Sequence, residues 1–206
     1  MALIAQTGRE LPECQTFLME IFLMAINKAY LQSGRTIESD ECLTPKYAVT
    51  PVLPYLHANR FKTILCPFDK DDSNYVRVLK ASGFTVVNSH LESRDFFNIT
   101  DFTNIDCIVS NPPFSCKDKV LDRLYNIGLP FMMLLPQNAQ QGIKRVNLFM
   151  KHGLEYMGFD KRVNFYTNGD LTKWKKGNHF ASGYFCFKVL PEKLIFEKLF
   201  EIQEPY

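Results

Sequence analysis

Apolar residues along this chain follow two rhythms. From Pro12 to Leu31, Cys14, Phe17, Leu18, Ile21, Phe22, Ala25 and Ala29 recur at intervals of three and four, the spacing of one helix face, and Gly34 is placed to end the helix. Residues 35–43 are polar and read as a linker. Thr44-Pro45 then opens a second helix running to about His57, with Pro51 and Pro54 set to break or bend it. Beyond it, short apolar runs alternate with helical stretches. Lys62–Cys66, Phe84–Val87, Asp106–Ser110 and Phe131–Leu135 predict strands, while Ser73–Ala81, closed by Gly83, and Lys117–Ile127 predict helices. Strands separated by helices or crossovers imply an α/β fold with a mostly parallel sheet covered on both faces. The last third predicts a helix over Ile143–His152, strands over Leu154–Phe159 and Phe180–Val189, a polar loop over Thr167–His179 and a short closing helix over Glu192–Phe200.

A length of 206 residues with 46% hydrophobic residues supports one core, so a single domain is expected over 1–206. Within it the N-terminal helix occupies 12–34, a central core 43–140 and a closing segment 141–206. The net charge of +2 is too close to neutral to announce a polyanionic partner, so any nucleic-acid surface must be local. The six cysteines form no CxxC pair, and several sit inside apolar runs, which argues for a reducing cytoplasm and against structural zinc. His57, His90, His152 and His179 lack ligand spacing and read as structural or surface residues; no metal is expected. The apolar stretch Phe17–Ile26 is interrupted by Glu20 and falls short of the roughly 18 residues that cross a bilayer. It also begins too late to read as a signal peptide. A cytoplasmic protein with no membrane partner is the expectation. The 12–31 helix either covers one edge of the domain or pairs two subunits, which leaves monomer and homodimer open.

The chemistry concentrates in one stretch. Ile105 to Ser110 is an apolar strand that runs directly into Asn111-Pro112-Pro113-Phe114. Ligands of open α/β sheets bind beyond the carboxyl ends of strands, so this loop is where a site belongs. Two prolines fix φ and withhold two backbone donors, leaving carbonyl acceptors and the Asn111 side chain on a stiff turn. Such a loop suits an aromatic amine. The exocyclic amine of adenine is a poor nucleophile because its lone pair is delocalised into the ring. Two acceptors on its two hydrogens, the Asn111 side-chain oxygen and the Pro112 carbonyl, would favour a pyramidal nitrogen with the lone pair freed. Phe114 can stack on the base, which must leave the helix stack if the substrate is duplex. The bland reading of the same residues is a rigid Pro-Pro turn at a strand end.

Asn-Pro-Pro-Phe after a hydrophobic strand resembles the catalytic motif of the adenine-N6 methyltransferases, a family with the Rossmann-like class I S-adenosylmethionine-dependent fold. The resemblance covers about residues 43–140, with a weaker similarity of the last third to compact phage-encoded members. It implies S-adenosylmethionine as cofactor, methyl transfer to adenine N6 and a nucleic-acid partner, DNA in preference to RNA. Thr44-Pro45-Lys46-Tyr47 resembles the helix start that lies against the methionine end of the cofactor. Asp95-Phe96 stands where the family has a pair that meets the cofactor's adenine. Pro67-Phe68 fits the Asp-Pro-Phe opening of the family's cofactor loop, although Cys66 replaces its first acid and no glycine follows. Either Asp69 takes the cofactor's amino group, with Asp71, Asp72 and Ser73 capping the helix near Asn74, or the pocket has decayed. Asn88-Ser89-His90-Leu91-Glu92 stands where the family often has an acid for the ribose, with Glu92 a weak substitute.

Lys173, Trp174, Lys175 and Lys176 join three cations to the chain's only Trp and are the candidate nucleic-acid contact, with Arg162 extending the surface. A solvated lysine loop is the alternative reading. Methylation of an RNA adenine or of another planar amine, and a non-catalytic binding protein on the same fold, also stay open.

Overall fold

The computed structural model describes residues 42–90, 95–167 and 180–200. The chain groups into two compact units, 1–36 and 37–206. The predicted N-terminal helix lies outside the described residues, and the second unit carries the fold below.

Nine strands and five α-helices are described: β1 (Cys42–Leu43), α1 (Lys46–Val49), α2 (Leu53–Ala58), β2 (Thr63–Cys66), α3 (Asn74–Ala81), β3 (Thr85–Asn88), β4 (Cys107–Ser110), α4 (Lys117–Ile127), β5 (Phe131–Pro136), α5 (Ile143–His152), β6 (Glu155–Phe159), β7 (Tyr166–Thr167), β8 (Ser182–Phe187) and β9 (Leu194–Glu197). Seven strands form one sheet in the order β3-β2-β4-β5-β8-β6-β9. All run parallel except β8, which is antiparallel to β5 and β6. This is a Rossmann-like α/β sheet, as the sequence pattern led us to expect. Central strands β4 and β5 are buried at every position, whereas edge strands β3 and β9 alternate. That is why the central strands read as continuous apolar runs.

The two faces are covered by different elements. Tyr184 of β8 bonds the Tyr75 hydroxyl of α3 at 2.8 Å and donates to the Ala48 carbonyl of α1 at 2.9 Å. Its neighbours Phe185 and Phe187 point the other way, meeting Phe149 of α5 and Tyr125 of α4. Gly183, two residues before Phe185, has room only for hydrogen: a Cβ there would collide with the Tyr156 hydroxyl and the Met157 carbonyl. α3 begins at Ser73, whose Oγ accepts from Val76 N at 3.2 Å, and α4 ends at Gly128 with φ +76. Pro51 sits in a short 3-10 turn, Thr50–Val52, that separates α1 from α2.

Two expectations are corrected. Residues 194–197 form strand β9, not a closing helix. Tyr156 N and Asp160 N of the β6 segment donate to the Lys193 and Glu197 carbonyls, so the open edge of β6 captures a segment whose apolar spacing alone suits a helix. The segment called a linker also ends in β1, which pairs with β7 in a separate two-stranded ribbon. Among the described residues, no helix is long and apolar enough to cross a membrane.

Candidate active site at the sheet switch point

From β2 the chain moves outward to β3, then returns to place β4 on the other side of β2. The chain order therefore reverses between the carboxyl ends of β2 and β4, the position at which open α/β sheets bind ligands. The buried polar side chains among the described residues are Thr44, Asp69, Ser89, Ser110 and Ser182. Asp69 and Ser89 follow β2 and β3, and Ser110 ends β4. Ser182 pairs with Pro136 at the end of β5. Thr44 joins the same rim, because its carbonyl accepts from Asn74 Nδ2 at 2.9 Å, at the start of α3. Burying a polar group is costly unless something bonds it, so their concentration at one rim marks that rim.

Asp69 is 8% exposed, and its Oδ2 accepts a hydrogen bond from the Ser110 hydroxyl. Burial pushes its carboxyl up from 3.8 to about 6, against the opposing bonds from Ser110 and Ser73. Among the described residues no lysine, arginine or histidine pairs with it. The loop that carries it is locked from the β3 side. Asp69 N donates to Ser89 O at 3.0 Å, Ser89 Oγ donates to Pro67 O at 3.2 Å and Asn88 Nδ2 donates to Asp69 O at 3.2 Å. Asn88 and Ser89 therefore hold the loop; Glu92 lies outside the described residues.

Ser110 joins this loop to the one after β4. Asn111 is half-buried, with its side-chain oxygen sheltered from solvent, and Pro112 is buried. The Pro113 carbonyl accepts from Cys116 N at 3.2 Å and Cys116 Sγ at 3.3 Å, and the Phe114 carbonyl accepts from Lys117 Nζ at 3.0 Å. Among the described residues nothing donates to the Pro112 carbonyl. Phe114 is 7% exposed and packs edge-on against Phe165 at 6.2 Å and Phe180 at 5.6 Å. It forms one wall of an aromatic trio and presents no free face of its own. Phe165 and Phe180 were not singled out in the sequence, where single aromatics distant along the chain give no local signal.

Thr44, Pro45 and Tyr47 reach the same end. Pro45 caps α1, and the Tyr47 hydroxyl accepts from Asn164 N at 2.8 Å, next to Phe165. Phe96 meets Phe68 edge-on at 5.1 Å, which brings the 67–69 and 95–96 segments together. Phe96 is only 1% exposed, under the Arg123 guanidinium at 5.3 Å, and Asp95 Oδ1 accepts from Phe97 N at 3.0 Å, capping its own turn. A groove of about 710 Å³ lies away from the switch point, between residues 97–102 and α4. Arg162 is exposed two residues before Asn164. Lys173, Trp174, Lys175 and Lys176 lie outside the described residues.

S-adenosylmethionine carries two cationic groups, an ammonium and a sulfonium. A buried carboxylate with no basic partner among the described residues is a chemically fitting counterpart for such a cation. The sequence matches no protein-family profile and no curated protein. A solved structure of an inferred methyltransferase from Thermoplasma acidophilum is similar at 14% identity and a TM-score of 0.38, over 73% of this chain and 67% of that one. The Rossmann-like assignment rests on the strand order and not on this likeness.

Proposed function

We propose that this chain is an S-adenosylmethionine-dependent methyltransferase acting on the N6 amine of adenine in DNA. The observation that carries the reading is the junction of Asn111-Pro112 with Asp69 through Ser110 at the switch point. S-adenosylmethionine, when bound, supplies an electrophilic methyl group. Asp69 holds the positive charge of that ligand, and Ser110 fixes the carboxylate from below. Thr44, Pro45 and Tyr47 close the same end. The Asn111 side-chain oxygen and the Pro112 carbonyl accept the two amine hydrogens, orienting the nitrogen lone pair toward the methyl carbon. A stiff Pro-Pro turn keeps both acceptors in place before substrate arrives, so positioning rather than a covalent nucleophile accounts for the rate. Phe180, the half-buried member of the trio that Phe114 backs, offers an aromatic wall for the extruded base. Arg162 and the 173–176 segment are assigned to phosphate and base contacts.

A second reading has its own support: Asp95 and Phe96 are spent on internal capping and packing, as suits a methyltransferase-like protein that binds nucleic acid without chemistry. Calorimetric titration with S-adenosylmethionine separates the two. The enzyme reading expects binding near micromolar, about −8 kcal/mol. Asn111→Ala should keep that binding and lose about a hundredfold or more in methyl transfer to DNA. Folded protein that ignores the cofactor, or an Asn111→Ala variant with full activity, overturns the enzyme reading.

A further inference from the structure

Strand β9 ends the sheet, and its outer edge is unpaired among the described residues. The inward groups are used up by β6: Lys193 O accepts from Tyr156 N, and Glu197 O accepts from Asp160 N. Strand alternation therefore turns the N–H and C=O of Leu194 and Phe196 outward, ready for another strand. Leu194 is 56% exposed and Phe196 69% exposed, both on the α5 side of the sheet. Ile195 and Glu197 point to the other side, where Glu197 Oε1 accepts from the Tyr55 hydroxyl at 2.5 Å.

The sequence of this edge is Glu192-Lys193-Leu194-Ile195-Phe196-Glu197-Lys198. Turned end for end about Ile195, it sets Glu192 opposite Lys198, Lys193 opposite Glu197 and Leu194 opposite Phe196. Every charge meets its opposite and every apolar residue an apolar one. No other register does this: a pivot at Phe196 sets Leu194 against Lys198 and Ile195 against Glu197. Backbone geometry is compatible with the pivot at Ile195, because it makes Leu194 and Phe196 the hydrogen-bonded pairs, and their groups are the outward ones; the side chains select it over its neighbours.

We propose that two copies of this chain associate through β9, antiparallel about a two-fold axis at Ile195, joining their sheets edge to edge. Lys193, Glu197, Glu192 and Lys198 act both as guards against other edges and as the code for this one. Three strands separate β9 from β4, so the association leaves the switch-point site open.

The test uses the full chain and two charge variants, with sedimentation velocity as the readout and circular dichroism to verify folding. Lys193→Glu with Lys198→Glu makes the edge wholly acidic; Glu192→Lys with Glu197→Lys makes it wholly basic. The wild type should sediment as a dimer of the 23.9 kDa chain. Each variant alone should dissociate, with a dissociation constant raised about tenfold or more. An equimolar mixture of the two should return to dimer, because opposite charges again face each other. In a separate variant, Ile195→Cys should yield a disulfide-linked dimer on mild oxidation, since non-hydrogen-bonded antiparallel partners are within disulfide reach. A wild type that stays monomeric at its highest soluble concentration overturns the proposal. So do variants that dimerise alone as tightly as wild type, or a mixture that gains nothing.

Discussion

Carboxylates at the two rims of the sheet behave in opposite ways. At the amino rim, Asp106 Oδ2 accepts from Lys62 N at 2.7 Å and Thr63 N at 2.8 Å, and these bonds hold its carboxyl below the ordinary 3.8. Glu155, on the same rim, accepts from the backbone N–H groups of Lys188, Val189 and Leu190 at 3.0, 2.9 and 2.8 Å. At the carboxyl rim, Asp69 is bonded through hydroxyls only, and burial drives its carboxyl up to about 6. The amino-rim acids complete the backbone; the carboxyl-rim acid is held uncomfortably, as a group awaiting a ligand is. Carboxylates thus do structural work on one rim and, on the proposed function, are stored for binding on the other.

The largest test of that contrast is Glu155→Ala. It leaves three backbone donors without their acceptor, two of them partly buried, and should lower unfolding free energy by roughly 4 kcal/mol. Chemical denaturation measures the loss, and cofactor binding by the remaining folded protein should be unchanged. A variant as stable as wild type would remove the structural half of the contrast.

Next in size is Asp69→Asn, which rests on the proposed function. It keeps an acceptor for Ser110 and removes the charge. Affinity for S-adenosylmethionine should fall about a hundredfold, or about 2.7 kcal/mol. Stability at neutral pH should hold or rise, because a buried charge with no basic partner among the described residues is gone. A lower melting temperature with intact binding would make Asp69 a structural acid like Asp106.

Much of this contrast was legible before the structure. The alternation of apolar runs and helices gave the strands of the central sheet to within a residue or two, because β2, β4 and β5 are buried on both faces and carry little else. Asn111-Pro112-Pro113-Phe114 could be read because a polar residue and two prolines directly after a buried strand are locally conspicuous. Ser110, Phe165, Phe180 and Ser182 could not, since their meaning depends on which strand lies beside which. The β9 error has the same origin: Leu194, Ile195, Phe196 and Leu199 fit a short helix in isolation, and only the waiting edge of β6 decides otherwise. Phe96 stands as a cofactor contact on its motif alone, and its burial beneath Arg123 is a tertiary fact that no local signal carries.

The smallest expected effect, read per pH unit, is in the pH dependence, where the two rims should pull in opposite directions. Asp69 has an ordinary carboxyl value of 3.8 and a folded value of about 6. Between those limits the folded chain keeps a proton that the unfolded chain has released. Unfolding free energy from this group therefore falls as pH rises through the window, about 3 kcal/mol in all, and is level above it. Asp106 has a folded value below its unfolded one, so its contribution is full above the ordinary 3.8 and is lost as pH falls through the folded value. Denaturation curves of wild type, Asp69→Asn and Asp106→Asn from pH 4 to 8 isolate the two by subtraction. The Asp69→Asn difference should grow in the variant's favour from about pH 4 and flatten above about 6, while the Asp106→Asn deficit should stay constant over that range and close only in stronger acid. Bound cofactor should bring the Asp69 carboxyl back down, so its affinity in wild type should weaken about tenfold per pH unit below about 6. A flat Asp69→Asn difference would mean that the carboxylate is already at ease in the fold, and the two rims would then be alike.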